Sequence, residues 1–223
     1  MATTFDSNIT IDGSNSHLAS PAKYQAAVKY HLDRLKATAT GRAVLKEVTR
    51  PLLIRPWKPD PGESPNAYAS ADDFLGGSTP YTDVRSCGDG SVLSAGVKGT
   101  GTGSDVTVAF TPKYWNYPDN ILLHELVHGI RIMRGVQRCI ATADHFDTME
   151  EVIAISVTNV YRSERGATVF RRDHHGFQWI TKKDAYKLMK KHDVHLARVW
   201  FEQQSFARAM WAVKTGFNPF RDL

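Results

Sequence analysis

The stretch "NILLHELVHGIRIMRG", residues 120–135, sets the terms for the rest of the chain. Ile121, Leu122, Leu123, Leu126, Val127 and Ile130 give such a helix an apolar surface broad enough to bury it. The spacing therefore predicts a helix inside the molecule, opened by Asp119 as N-cap and closed by Gly135. Within it sit His124, Glu125 and His128. Residues four apart share one helix face, a turn apart, so both imidazoles can point at one centre. A buried helix does not carry such groups without partners, because an unpaired polar group in an apolar interior costs roughly 2–7 kcal/mol. With 9 His and 7 Glu in 223 residues, the order His-Glu-x-x-His arises by chance in roughly one such sequence in a hundred.

That order fits a catalytic zinc ion, one per chain. His124 and His128 would supply two ligands, and Glu125, about a hundred degrees round the helix, would stand beside the ion as general base. Zinc lowers the pKa of its water towards about 7, so a carboxylate of ordinary basicity suffices to take the proton. A catalytic site also needs a third protein ligand and an open position. The extended pattern H-E-x-x-H-x-x-G-x-x-H fails, since Arg131 stands where Gly is needed and Arg134 where His is needed. The following helix, "TMEEVIAISVTNVYRSE" from about Thr148, offers Glu151 with the small Ala154 three residues on, the gluzincin arrangement, and Glu150 in reserve. Both glutamates have capping-box spacing, Asp147 to Glu150 and Thr148 to Glu151. If Asp147 is the cap, Glu150 reaches back and Glu151 is free for metal; if Thr148 is the cap, the roles exchange. Glu151 is the expected ligand.

Around this helix the patterning predicts an α+β fold, a single domain over 1–223 with a small N-terminal sheet and a helical C-terminal half. "FDSNITIDG" alternates about Ile9 and Ile11 like a half-buried strand, within an N-terminal arm of residues 1–20. Ser20 and Pro21 open a helix to about residue 38 with an apolar stripe of Ala26, Ala27, Tyr30, Leu32 and Leu35. "RAVLKEVTR" reads as a short second helix and "PLLIRPW" as a brief buried strand. Residues 58–82, rich in Pro, Gly, Ser and Asp, read as one long loop. Strand-like runs at 91–98 and 105–111 follow, separated by glycines that lack the phosphate-loop spacing. "TKKDAYKLMKKH" and "DVHLARVWFEQQSFARAMWAVKT" read as two further helices, with Trp200, Phe201, Phe206, Met210 and Trp211 as core bulk.

Composition narrows the classes. No run of eighteen apolar residues is present, so no membrane-spanning helix is expected, and the N-terminus lacks the basic and apolar regions of a cleavable signal peptide. Cys87 and Cys139 lack metal or redox spacing and read as incidental thiols. Residues 1–120 hold 12 Lys+Arg against 12 Asp+Glu, and residues 121–223 hold 16 against 11, so the whole +5 excess is C-terminal and reads as a solvated basic face. No nucleic-acid module accompanies it, and no nucleic-acid or membrane partner is expected. His145, His174, His175, His192 and His195 read as surface histidines rather than a second metal site.

The stretches "GTGSDVTVAFTP", "HELVHGIRIMRG", "EEVIAISVTNVYRSERG" and "RRDHHG" resemble the NleD-like effector metallopeptidases, bacterial zinc proteases injected into host cells. The resemblance covers residues 90–176 well and the N-terminal part loosely. It implies His124, His128 and a glutamate of the 150/151 pair as ligands and Glu125 as base. By likeness to clostridial-toxin-like proteases, it also implies an oxyanion-stabilising pair. The segment from 171 offers Arg172 with His175, or Arg171 with His174, and Tyr161 is a candidate phenol. Zincins bind substrate along an edge strand, expected here at residues 104–110. The resemblance implies delivery into a target cell, a protein or peptide substrate there, and an immunity protein or secretion chaperone as further partner. Two other readings are a zinc amidase acting on peptidoglycan peptides of competing bacteria and a non-catalytic basic binding protein.

Overall fold

The apolar helix becomes α3, Pro118–Met133, and the chain is arranged around it. The computed structural model describes residues 2–72, 98–142, 146–174 and 178–223. Within these, a five-stranded sheet has the order β1 (Thr3–Asp6), β2 (Ile9–Ile11), β3 (Leu52–Arg55), β5 (Asp105–Ala109), β4 (Tyr68–Asp72). β2, β3 and β5 run parallel, while β1 and β4 pair antiparallel at the two ends. Helices α1 (Pro21–Lys36) and α2 (Ala39–Lys46) carry the chain from β2 to β3. Ser20 accepts the Lys23 N–H and Pro21 occupies the first turn of α1, as its sequence indicates. The buried face of α1 is Tyr24, Val28, Leu32 and Leu35; Tyr30, expected on that stripe, is exposed.

α3 lies against the sheet. Leu52, Ile54, Val106 and Val108 form one core with Leu122, Leu126, Val127 and Ile130. The closest approach is at Gly129, where a Cβ would meet Val106 Cγ1 at 3.4 Å and Leu52 Cδ1 at 3.7 Å. Apart from Pro118 and His128, every residue of α3 is buried. Its start departs from expectation: Tyr117 takes the cap position without a side-chain bond, and Asp119 lies in the first turn, its carboxylate engaged elsewhere. Its end follows the glycine. Gly135 has φ 62°, and the Gly135 and Val136 N–H groups return to the Ile132 and Arg131 carbonyls at 2.9 and 3.1 Å, a Schellman close.

α4 (Met149–Glu164) adds Ile153, Ala154, Val157 and Val160 to the same core. A second cluster, including Phe146, Ile155, Phe170, Met189 and Phe217, fastens the hairpin β6 (Val169–Arg171) and β7 (Trp179–Thr181) and helix α5 (Lys182–Lys190) beside α4. The remaining helices are α6 (Asp193–Glu202), α7 (Gln204–Trp211) and α8 (Pro219–Asp222). The expected single helix after Asp193 is therefore two. Gln203 breaks it, because its side chain accepts from Arg131 at 3.1 Å and donates to the Ile130 carbonyl at 3.5 Å. The break turns Phe206 and Met210 into the core and leaves Phe201 89% exposed and Trp211 exposed, although all four were expected inside.

Three further expectations change. Residues 58–82 are not one loop, since they contain β4. Cys139 is buried and disulfide-bonded rather than a free thiol; Cys87 lies outside the described residues. The run at 91–98 also lies outside them except for Lys98, which bridges to Arg138. The α+β architecture with a helical C-terminal half is as expected.

The carboxylate of Asp119 joins α1, α3 and α4. Its Oδ2 accepts from Arg34 at 3.0 Å and from the Tyr161 hydroxyl at 2.7 Å, with Arg165 at 3.5 Å. Burial raises its pKa, but the bonds from Tyr161 and Arg34 outweigh burial and hold it below the ordinary value. A depressed folded pKa gives stability present above the unfolded pKa and lost as pH falls through the folded one. Asp119→Asn should therefore lower Tm by roughly 4–8 °C at neutral pH, for a loss of about 2 kcal/mol. The difference from the native chain should shrink in melts below about pH 4.

Candidate metal centre

α3 presents His124 and His128 one turn apart on its face towards α4, and the first turn of α4 presents Glu151. His124 Nε2 and His128 Nε2 lie 3.1 Å apart. Glu151 Oε2 is 3.1 Å from His124 Nε2, and Glu151 Oε1 is 3.2 Å from His128 Nε2. Ligand atoms about 2.0–2.1 Å from a tetrahedral ion stand roughly 3.3 Å from one another. Three donors in this spacing, of the types that bind a borderline divalent ion, fit a zinc ion among them. Glu151 Oε2 is itself buried without a hydrogen-bond partner.

The electrostatics agree. Burial pushes the His124 imidazole down to about 3. Burial also lowers His128, but the carboxylates of Glu151 and Glu125 outweigh it and lift that ring to about 9. Burial raises Glu151, and the two imidazoles still hold it well below the ordinary carboxylate range. The Glu151 carboxylate thus draws positive charge to the point where the three side chains meet.

Glu125 is not among the converging atoms. Buried beside His124, its carboxylate is pushed up to about 7 by burial, with Glu151 adding to the effect. His128, Arg171 and a hydrogen bond from the backbone of Ala69 pull the other way. A base near neutrality is matched to taking and returning a proton at neutral pH. The group facing it belongs to β4, the terminal strand of the sheet among the described residues. The expected edge strand at 104–110 is instead interior, because β5 pairs with β3 on one side and β4 on the other.

Two clefts flank the centre. One, of about 440 Å³, is lined by Ser64, Asn66, Trp115, His124, Glu125 and Arg171 among others. The other, of about 180 Å³, runs past Tyr68, Ala69, His128, Gln137 and Glu151. His174 borders both.

Of the expected residues, His124, Glu125, His128 and Glu151 come together. Glu150 does not: it is buried in an ion pair with Arg131 and accepts the Arg138 backbone N–H at 2.8 Å. The helix start also departs from either capping alternative. Thr148 is the cap and accepts the Glu151 N–H at 3.3 Å, yet the Glu151 side chain goes to the imidazoles instead of reaching back. Tyr161 is fully buried with its hydroxyl on Asp119, ten residues and so about 15 Å along α4 from Glu151. It braces the helices and is not in the site. Arg172 turns away to Gln178 at 2.7 Å, and His175 lies outside the described residues.

The pair that reaches the centre is Arg171 with His174. Arg171 is held by Asn159, whose side-chain amide bonds both its N–H (2.8 Å) and its carbonyl (2.9 Å). Its guanidinium donates to the Asp173 and His174 carbonyls at 2.7 and 2.5 Å, and it lines the larger cleft. Burial lowers its pKa, opposed by Glu151 and Glu125. Asn159, Asp147 and Ala69 escaped the sequence reading; only the capping position of Asp147 gave a signal. His192, expected at the surface, is buried against Phe146 and stacked on His195, with ring centroids 5.8 Å apart.

Residues 6–191 match the family model of the M91 peptidases, described as effector proteins. The chain belongs to the M91 effector peptidases. No curated protein matches it. The matched span includes α3, α4, β4 and the β6–β7 hairpin, so every element that forms the centre lies within it.

Glu150 and Glu151 should separate by phenotype. Glu151→Gln is expected to fold and to lose stoichiometric metal in an elemental analysis. Glu150→Gln should keep the His124–His128–Glu151 cluster but lose about 1.5–3 kcal/mol in chemical denaturation, because Arg131 gives up its fully buried carboxylate and keeps Glu202.

Proposed function

We propose that this M91 effector is a zinc-dependent endopeptidase that cuts proteins inside the cell it is delivered to. The convergence of His124, His128 and Glu151, with the near-neutral carboxylate of Glu125 beside it, carries the reading. A zinc ion held by these three residues would supply Lewis acidity and lower the pKa of water towards about 7. Glu125 takes the proton from the attacking water and returns it to the leaving amine. Ala69, whose backbone bonds the Glu125 carboxylate, would hold the base in place on the cleft wall. Arg171 is the cation that faces the negative charge developing on the peptide oxygen, the role that the resemblance implies for the arginine of an Arg–His pair in this segment. An extended peptide adds to β4 as a further strand, with its scissile bond over Glu125.

The purified protein should carry about one zinc per chain and lose it on His124→Ala or His128→Ala. Glu125→Gln should keep zinc and reduce turnover by about 10²–10⁴-fold, since it removes a base and not a ligand. Target cells given the native chain should contain new protein termini that cells given Glu125→Gln lack. Turnover of cell-wall peptides with no cleavage of proteins would transfer the same centre to the amidase reading.

A further inference from the structure

His174 stands in the turn after β6, outside the His-Glu-x-x-His motif. Its Nδ1 lies 2.6 Å from Asp147 Oδ2, and its Nε2 lies 3.5 Å from Glu151 Oε2. Its ring is nearly parallel to that of His124, with centroids 6.0 Å apart and planes at 9°. His124, Glu151 and His174 each present a ligand atom within 4.8 Å of the others. A carboxylate only accepts, so Nδ1 carries the hydrogen of the His174–Asp147 bond, and Nε2 is the ring atom turned towards Glu151. A cation seated between Nε2 and the Glu151 oxygen would be shared by both. A metal-ligating histidine almost always donates its other N–H to a carboxylate or carbonyl. His174 has this support from Asp147, whereas the buried Nδ1 of His124 has no hydrogen-bond partner.

We infer that His174 is a fourth, exchangeable ligand of the zinc proposed above, and that Asp147 fixes its tautomer; this rests on the zinc reading. Four protein ligands close the coordination sphere of a tetrahedral ion. His174 is the one that can give way. Its side chain is 32% exposed at the border of both clefts, against 3% for His124 and 11% for His128. A peptide carbonyl entering along β4 would meet it before it met either helix ligand. The resting enzyme is then protected from adventitious hydrolysis, and substrate itself opens the position that catalysis needs.

Cobalt(II) is the probe, added to the full-length apo-protein, with binding measured by chelator competition and the visible d–d spectrum recorded. His174→Ala should bind cobalt roughly 10–100-fold more weakly and shift the bands, and Asp147→Asn should weaken binding about tenfold with a smaller shift. Melting curves of the apo-variants report whether each still folds, and Arg172→Ala, two residues before His174, should leave affinity and spectrum unchanged. Wild-type affinity and spectrum in both His174→Ala and Asp147→Asn, alongside loss of metal in His128→Ala, would overturn the fourth ligand and leave the three-ligand centre standing. Failure of the native chain to bind cobalt or zinc would sink the zinc reading itself.

Discussion

The buried guanidinium of Arg131 fixes the relation between the two helices on which the centre depends. It lies one turn beyond His128 on α3 and is wholly inaccessible to solvent. It pairs with Glu150 of α4, Glu202 of α6 and Gln203 at the α6–α7 break, and it donates to the Val136 carbonyl at 3.1 Å. A buried ion pair of this kind adds little net stability over apolar packing, but its geometry admits few arrangements. Here that geometry sets how α4 is turned about its own axis. With Glu150 held against Arg131, the adjacent Glu151 is left about a hundred degrees further round, towards the imidazoles. The same guanidinium therefore decides which glutamate meets the imidazoles and why the C-terminal helix breaks at Gln203.

The sequence was most legible where residues a few positions apart do the organising. The apolar wrap of α3, the His124–His128 pair, the Ser20 cap with Pro21 and the glycine close at Gly135 are all local patterns, and each is present in the fold. Glu151, and not Glu150, meets the imidazoles, but for a reason the sequence could not supply. Capping-box logic tied the choice to whether Asp147 or Thr148 was the cap, and the structure keeps the Thr148 cap while sending Glu151 to the imidazoles. What decides the matter is Arg131, which appears in the sequence only as a departure from an extended zinc motif. Long-range partners also explain the other misses. Tyr161 offers a phenol of the right chemistry, yet Asp119 claims it; Phe201 looks like core until Gln203 turns the chain.

β4 shows the same limit in another form. "YASAD" lies in a stretch dominated by Pro, Gly, Ser and Asp, so local composition argues for loop. Its strand character comes from pairing with β5, where Ala69 meets Val108 and Ala71 meets Val106 above the apolar face of α3. Small side chains suit a strand lying this close to a helix. They also bring backbone, rather than bulk, up to the carboxylate of Glu125. A pattern search looks for β-branched residues, and this edge works because it lacks them.

The centre is thus built in two tiers of different rigidity. α3 and α4 share a continuous core with the sheet, and they carry His124, His128 and Glu151. The rim comes from β4, from the wall formed by Ser64 to Ala67 just before it, and from the β6–β7 turn that bears Arg171 and His174. The turn is not loosely attached: Asn159 bonds both polar backbone groups of Arg171 from the middle of α4, and Arg171 then holds the carbonyls of Asp173 and His174. Rim chemistry is therefore indexed to the same helix that supplies Glu151. Were the turn anchored only to the neighbouring hairpin strand, a small shift of β6–β7 would move the Arg171 guanidinium and the His174 imidazole relative to His124 and Glu151. Anchoring through Asn159 makes such a shift break two buried hydrogen bonds, each worth roughly 0.5–1.5 kcal/mol net and more if a partner is left unsatisfied. Placement of Arg171 is consequently a property of α4, even though its residue number lies beyond the end of that helix.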